Sequence, residues 1–233
     1  MLTLAFDTTG EHGGAGLFRD GQCLGAIENT ERANYSVFLF EMVERLLAEA
    51  GTQISEVELF AVANGPGSFT GIRVGVAAAQ GWATAFGRPV CGVSVLAAMA
   101  AQARIETEWA ASIIDAHRGE LYAGLFRRRQ AAGDTEPGFE PQGDGWVAQP
   151  GALAKFFEER IPLTCVIREQ DVVAQAARAF LPSSVQWQIV PGTLVAGIAR
   201  IALDAHARQR LQSPAELDAC YIRRTDAELK LSE

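Results

Sequence analysis

The sequence contains few of the residues that bind metal ions or form disulfides, with four cysteines and three histidines among 233 residues. The cysteines form no C-x-x-C pair, and the histidines form neither H-x-x-x-H nor H-E-x-x-H. This pattern favours buried, reduced thiols and predicts no metal site. The residues concerned are Cys23, Cys91, Cys165 and Cys220, and His12, His117 and His206.

Long apolar runs and an excess of positive charge are also missing. The most apolar region, residues 72–101, is interrupted by Arg73, Gln80, Arg88 and Pro89, so it does not predict a membrane-spanning helix. The first residues lack the basic start of a signal peptide, and we expect a cytoplasmic protein that binds no membrane. The formal net charge of −8 disfavours direct binding to a nucleic-acid backbone.

The pentapeptide AGLFR occurs twice, as residues 15–19 and 123–127. Aligning the two copies without a gap places Asp7 on Asp115, and each aspartate ends a short apolar run. This layout predicts a strand, a turn and a second strand in both halves of the chain. Asp7 is a candidate contact for a ligand phosphate or a metal, and equally a turn residue that binds its own backbone. For Asp115 the turn role is favoured.

The first half continues with alternating helix and strand patterns. Its order, β-β-β-α-β-α-β-α, occurs duplicated in the actin-like and sugar-kinase ATPases. In the first helix, Val37 and Phe40 lie off the expected core stripe of Leu39, Val43, Leu46, Leu47 and Ala50. The elements after the first hairpin are expected at 23–27 (strand), 35–50 (helix, ended by Gly51), 59–63 (strand), 71–86 (helix), 89–93 (strand) and 95–104 (helix, capped by Ser94).

The segment NGPGSFTG, residues 64–71, joins a predicted buried strand to a predicted helix. Ser68 and Thr70 are good N-cap residues, and the unpaired N–H groups of a helix start favour anions. The loop lacks the lysine of a P-loop and the spacing of a dinucleotide fingerprint. Taken alone, it favours a capped tight turn over an anion site. The candidate nucleotide or anion contacts are Asp7, Gly65, Gly67, Ser68 and Thr70.

The helix predicted at 71–86 is apolar almost all round, since only Arg73, Gln80 and Thr84 are strongly polar. Such a helix is buried on more than one side, and its small residues allow a second helix to approach closely. One side is expected to cover the sheet. For the other side we favour a subunit interface over an internal helix contact. The small residues are Gly71, Gly75, Ala78, Ala79 and Gly81.

The second half is predicted to be a degenerate copy of the first. Residues 130–151 are rich in Gly, Pro and acidic residues and predict a loop. No second glycine-rich phosphate loop follows, although an actin-like ATPase needs one in each half. Helices are expected near 152–159, 172–180 and 194–208, and short strands near Cys165 and Trp187.

The expected fold class is α/β, with two duplicated actin-like (ribonuclease H-like) lobes. Each lobe is expected to contain a mixed five-stranded sheet flanked by helices. Residues 1–105 form the predicted N-terminal lobe, which carries the docking helices. Residues 106–233 form the degenerate C-terminal lobe, whose tail is a candidate for packing back on the first lobe.

Several motifs resemble those of one bacterial family. The segments LAFDTT, GPGSFTGIRVGVAAAQG, GVSVLAAMA, DAHRGELY and YIRR resemble the tRNA threonylcarbamoyladenosine biosynthesis proteins called TsaB or YeaZ. The resemblance covers most of the first half and continues to Tyr122, and it is weak from residue 129 to 219. Tyr35 stands where many relatives have histidine, and Asn64 where many have arginine. Both departures lie near the expected docking face and bear on partner specificity.

The resemblance implies a non-catalytic paralogue of the enzyme TsaD, which carries the metal and the active site. It implies docking on TsaD, homodimer formation through the same surface, action together with the ATPase TsaE, and contact with tRNA only through these partners. It implies that the chain has no cofactor of its own, and it leaves open whether a nucleotide binds at the boundary with the partner. The interface that it implies consists of Val37, Phe40, Gly71, Arg73, Val74, Gly75, Ala78, Ala79 and Trp82.

Two alternatives stay open. The chain could be an active actin-like small-molecule kinase or ATPase that uses Asp7 as a base or metal contact, or a metallopeptidase-like protein. The lack of a second phosphate loop weighs against the first, and the lack of paired histidines weighs against the second.

Overall fold

The computed structural model describes residues 1–29, 35–129 and 138–222. It contains two mixed β-sheets, each built around an antiparallel hairpin whose first strand also pairs with a later, parallel strand. In the first sheet the strand order is β3-β2-β1-β4-β5. Its strands are β1 (Leu2–Asp7), β2 (Gly14–Arg19), β3 (Gln22–Glu28), β4 (Leu59–Gly65) and β5 (Val90–Ser94).

The second sheet has the strand order β11-β10-β6-β7-β8, and β9 pairs with another part of β7. The α/β fold class and the two mixed sheets are therefore confirmed, although this sheet has six strands rather than the expected five. Its strands are β6 (Trp109–Asp115), β7 (Leu121–Arg128), β8 (Phe139–Pro141), β9 (Trp146–Ala148), β10 (Leu163–Arg168) and β11 (Gln186–Val190).

Helices cover both faces of the first sheet. Leu4 and Phe6 of β1 pack in one core with α1 and α2, whereas Ala5 points into the other core with α3 and α6. The alternation follows from the two-residue period of a strand and explains why every residue of β1 is buried. In the described ranges, no helix is long and apolar enough to cross a membrane. The helices are α1 (Tyr35–Glu49), α2 (Phe69–Phe86), α3 (Val95–Gln102), α4 (Pro150–Glu158), α5 (Val172–Ala176) and α6 (Val195–Ala207).

The repeated pentapeptide occupies equivalent places in the two sheets. The first copy lies in β2, antiparallel to β1, and the second lies in β7, antiparallel to β6. Asp7 and Asp115 are the last residues of β1 and β6. The predicted strand, turn and strand are thus confirmed in both halves.

Three details of the first half differ from the prediction. Ala50 is exposed and lies beyond the end of α1, whereas Met42 belongs to the core. Ser94 precedes α3, but its side chain accepts no capping hydrogen bond. Cys23 is exposed, because it lies on β3 at the edge of the sheet. The end of α1 is as expected, since Gly51 adopts a φ of +62°, which glycine tolerates.

The prediction of a loop over residues 130–151 was wrong for its described part, since β8 and β9 lie there and α4 begins at Pro150. Proline and glycine obscured these three-residue strands, whose Phe139 and Trp146 are half-buried. Residues 130–137 lie outside the described ranges. The strands near Cys165 and Trp187 and the helix near 194–208 are confirmed. The helix predicted at 172–180 is α5 followed by a short 3-10 helix.

The tail after α6 lies against the first sheet and α2. Gln212 pairs with Val90 of β5 through two backbone hydrogen bonds. Gln80 Nε2 on α2 donates to the carbonyl oxygens of Pro214 (3.1 Å) and Leu217 (2.9 Å). The Leu217 side chain is buried in the same core as α1 and α2. These contacts place apolar and polar groups of the tail on the N-terminal half of the chain.

Candidate functional site

A cleft of about 720 Å³ lies where β1, β4, β6 and β10 end. Its walls come from the segments that follow these strands, including Thr9, Ser68, His117 and Gln170. Ligands of α/β proteins bind at the carboxyl ends of parallel strands. The volume falls in the range of small-molecule sites. The topology therefore brings the two predicted aspartate turns and the glycine-rich loop to one place.

Asp7 is buried beneath this cleft and its carboxylate is fully engaged by the protein. Its Oδ1 accepts hydrogen bonds from Thr9 N (2.8 Å) and Thr9 Oγ1 (2.6 Å). Its Oδ2 accepts from Arg168 Nη2 at 3.1 Å. The side chain of Asp7 is 0% exposed. Of the two predicted roles, these contacts support the turn residue, and Asp7 does not line the cleft.

Asp115 also acts as a turn residue, as the sequence favoured. Its Oδ1 accepts from the backbone N–H of His117 at 2.7 Å, and its own N–H donates to Asp171 Oδ2 at 2.8 Å. The turn places His117 and Arg118 in the left-handed region, at φ of +61° and +59°. The His117 imidazole lies 3.4 Å from Asp115 Oδ2 at the mouth of the cleft.

The glycine-rich loop is fastened to the turn after β1. Ser68 N donates to Thr9 O at 2.7 Å, and Ser68 Oγ accepts from Gly71 N at 3.3 Å, which confirms Ser68 as the N-cap. A Cβ on Gly67 would lie 2.4 Å from Thr9 O. On Gly65, at φ +132°, it would lie 2.2 Å from Cys220 O. Close backbone packing thus explains these glycines.

The anion-site prediction is therefore only partly compatible with the structure. Gly67, Ser68 and Thr70 line the cleft, but the N–H of Ser68 is already bonded. Gly65 lies beneath the tail and lines no part of the cleft. Among the residues that the structure describes, no group of three or more His, Cys, Asp or Glu side chains is arranged to hold a metal ion.

A second candidate surface lies on α1 and α2. Val37 is 60% exposed and Phe40 is 44% exposed. The Phe40 and Trp82 rings pack edge to face with their centres 5.5 Å apart, and the Trp82 ring stacks on the buried Phe60 ring with their centres 5.9 Å apart. On α2, the neighbouring surface positions are Val74, Ala77 and Gly81, of which the last two are exposed. We call the set Val37, Phe40, Val74, Ala77, Gly81 and Trp82 the α1/α2 face.

Four of the residues expected at the interface are buried inside the chain. Gly71 and Gly75 pack against the turn after β1 and the sheet, and Ala78 and Ala79 lie in the core that α1 and α2 share with the sheet. A Cβ on Gly75 would lie 2.5 Å from Thr8 Oγ1 and 3.1 Å from Val62 Cγ2. The close approach that the small residues indicated is real, but the element approached is the chain's own sheet. The prediction is corrected for these four residues.

Arg73 is exposed but held at the edge of the α1/α2 face. Its guanidinium lies 3.8 Å from the centre of the Phe69 ring, and Nε lies 3.2 Å from the Tyr221 hydroxyl. The Phe69 and Tyr221 rings are themselves 5.3 Å apart. This cluster fastens the tail to the first turns of α2.

Known proteins that resemble this chain point to one family. The TsaB of Escherichia coli, a tRNA threonylcarbamoyladenosine biosynthesis protein, is 29% identical over 82% of this chain and 99% of that protein. The TsaB of Bacillus subtilis is 33% identical over 54% of this chain and 56% of that protein. The structure of YeaZ from Pseudomonas aeruginosa superposes with a TM-score of 0.74 at 26% identity, over 94% of this chain and 99% of that one. This chain is a relative of the TsaB (YeaZ) proteins over nearly their whole length.

Two further similarities agree with the TsaB fold. The sequence model of TsaD, the tRNA N6-adenosine threonylcarbamoyltransferase, matches residues 27–138. A hexokinase of the ROK family from Thermus thermophilus superposes with a TM-score of 0.50 at 16% identity, over 90% of this chain and 100% of that one. The hexokinase likeness concerns the fold alone.

Sequence reasoning missed Arg168, Thr9 and Ala77. Arg168 follows the apolar run LTCVI in a region where the TsaB motifs are weak. One signal was available, since the end of that predicted strand meets the ends of the strands that carry Asp7 and Asp115. Ala77 is absent from the expected interface, most of whose α2 residues were the small residues of the helix.

Proposed function

We propose that this chain serves tRNA threonylcarbamoyladenosine biosynthesis, the pathway for which its TsaB relatives are named, as a non-catalytic scaffold or activator subunit. In this proposal it docks on a TsaD-type catalytic partner through the α1/α2 face. The observation that carries the proposal is the exposed pair of Val37 and Phe40 beside Trp82. Aromatic side chains anchored in a well-packed support are typical hot spots of protein interfaces.

The state of Asp7 supports a non-catalytic role. A kinase that used this carboxylate as a base or metal ligand would need Asp7 exposed to the cleft. Here both carboxylate oxygens are bonded to Thr9 and Arg168, and the side chain is fully buried. Freeing it would leave the Arg168 guanidinium unpaired at the cleft floor, which is unfavourable.

The roles proposed for the remaining partners depend on docking to TsaD. We propose that the TsaE-type ATPase acts through the complex, that the same face forms a homodimer when the chain is alone, and that tRNA is bound by the partner. The net charge of −8 supports indirect tRNA contact. The chain is proposed to have no cofactor of its own, with nucleotide held only at the partner boundary. Residues 1–105 and 106–233 remain the proposed lobes.

The docking proposal is tested with two matched phenylalanine substitutions. Phe40 and Phe180 are both exposed, at 44% and 59%, but Phe180 lies in the second half, beyond α5. We expect Phe40→Glu to weaken binding to the TsaD-type partner by about 2 kcal/mol or more, the loss typical of a hot spot, and Phe180→Glu to have no effect. Calorimetry on the purified partners measures both. Equal affinity of the two variants would contradict the proposed face.

A further inference from the structure

The ion pair between Arg168 and Asp7 joins the two sheets. Arg168 ends β10 of the second sheet, Asp7 ends β1 of the first, and the two residues are 161 positions apart in the sequence. The Arg168 side chain is 12% exposed and that of Asp7 is 0% exposed. The pair Arg127–Glu108, which joins β7 to the residue before β6, is by comparison 58% and 51% exposed.

The pair is poorly explained as a stabilising contact. A buried ion pair contributes little net stability, because desolvation opposes the attraction between the charges. In addition, Arg168 Nε is buried and has no hydrogen-bond partner within the described part of the chain, which is itself unfavourable. The presence of the pair is therefore better explained by the arrangement of the two sheets that it holds in place than by its contribution to stability.

A series of hydrogen bonds continues from Asp7 to the start of α2. Asp7 Oδ1 accepts from both the N–H and the hydroxyl of Thr9. Thr9 O then accepts from Ser68 N at 2.7 Å, and Ser68 Oγ caps Gly71 N. The polar relay thus runs from the second sheet, through the turn after β1, to the first turn of α2.

A second contact fixes the same first turn of α2. Thr8 Oγ1 donates to Gly71 O at 2.7 Å. A Cβ on Gly71 would lie within 1.9 Å of Thr8 O, so the helix backbone rests directly on the turn. Any shift of the turn after β1 is therefore transmitted to the first residues of α2.

We propose that Arg168 is a positioning residue that sets the first turn of α2 by holding Asp7, and through Thr9 the N-cap Ser68, in one arrangement. The inference rests on the proposed function and deepens it, because α2 carries four of the six residues of the α1/α2 face. It assigns the second half of the chain a role in shaping a docking surface that lies on the first half.

Hydrogen exchange on the whole chain tests the proposal without any partner. In Arg168→Met, we expect the amides of Ser68 and Gly71 to exchange faster by about an order of magnitude, the change that corresponds to the loss of one net hydrogen bond. The amide of Val90, which is bonded to Gln212 outside the relay, should keep its rate. Arg127→Met is the matched control and should change none of the three rates.

Two further variants separate positioning from general stability. Arg168→Lys keeps the charge and should recover part of the protection of Ser68. The double variant Asp7→Asn/Arg168→Met removes both charges and should lower Tm by less than the two single changes together, because neither charge is left buried and unpaired. If Arg168→Met does not fold, this double variant carries the exchange measurement.

Two results would overturn the proposal. One is an equal increase in exchange at Ser68, Gly71 and Val90, which would mean that Arg168 only stabilises the fold. The other is strict additivity of the Asp7 and Arg168 changes, which would mean that the pair is not coupled. Partner binding does not enter either result, so a failure of the proposed docking would leave this test intact.

Discussion

Gly75 and Gly81 lie on the same helix, and the structure predicts opposite effects when each is changed to alanine. A Cβ at position 75 would lie 2.5 Å from Thr8 Oγ1 and 3.1 Å from Val62 Cγ2. At position 81 no atom lies within 4 Å of the new methyl group, and the residue is exposed. Both positions are in the interior of α2, so the two substitutions differ mainly in packing.

The magnitudes follow from helix propensity and overpacking. Alanine is favoured over glycine inside a helix by about 1 kcal/mol, so Gly81→Ala should raise the free energy of unfolding by that amount and Tm by roughly 2–4 °C. At position 75 the gain is opposed by overpacking, about 1–3 kcal/mol. Displacing the Thr8 hydroxyl from Gly71 O removes about 1 kcal/mol more. The expected net effect of Gly75→Ala is a loss of about 1–3 kcal/mol.

Urea unfolding followed by circular dichroism measures both changes against the unmodified chain. Ala77→Gly, on the exposed side of the same helix, is the control for propensity and should lower stability by about 1 kcal/mol. If Gly75→Ala stabilised the protein as much as Gly81→Ala, the assignment of the glycine side of α2 to the sheet would be refuted. The α1/α2 face would then have to be redrawn.

Three further outcomes follow from burial. Cys23 is exposed and Cys165 is buried, so a thiol reagent should modify Cys23 in the folded chain and Cys165 only after unfolding. Mass spectrometry of the labelled peptides measures both, and labelling of Cys165 in the folded chain would contradict the core packing. Burial raises the pKa of Cys91 from 9.0 to about 11. The neutral thiol is thus favoured in the folded state, and its stabilising effect, full below pH 9.0, should fade as pH rises through about 11. The urea midpoint of the unmodified chain should therefore fall over this pH range by more than that of Cys91→Ala. An equal fall in the two proteins would contradict the burial of the Cys91 thiol. Leu217 is 2% exposed, and Leu217→Ala should lower the free energy of unfolding by about 2–5 kcal/mol, measured in urea; a loss below about 1 kcal/mol would mean that the tail does not pack in the core.

The order of strands and helices in the first half was predictable because local signals agreed there. The repeated AGLFR fixed the hairpins, Gly51 marked the end of α1, and Ser68 marked the start of α2. In the second half the signals conflicted, since glycine and proline surround β8 and β9. Those short strands depend on pairing with β7, which is a tertiary interaction that no local pattern records.

The candidate site was less accessible to sequence reasoning than the fold. Small residues on α2 correctly indicated a close approach but not which surface approached. Gly71 packs against the turn after β1, and Gly75 packs against that turn and the sheet. The role of Asp7 depended on its partner, Arg168, which is remote in sequence and carries no motif. By contrast, Val37 and Phe40 were identified as surface residues because they fall outside the apolar stripe of α1, a signal that lies within one helix.

The most direct test of the proposed role is reconstitution of tRNA modification. Supplied with tRNA, threonine, bicarbonate, ATP and the partner enzymes, the reaction should form N6-threonylcarbamoyladenosine only when this chain is present. The chain alone should form no modified adenosine and hydrolyse no ATP. Phe40→Glu should fail to support the reaction, whereas Phe180→Glu should support it fully. Unchanged product without the chain, or ATP hydrolysis by the chain alone that is lost in Asp7→Ala, would contradict the account of a non-catalytic docking subunit.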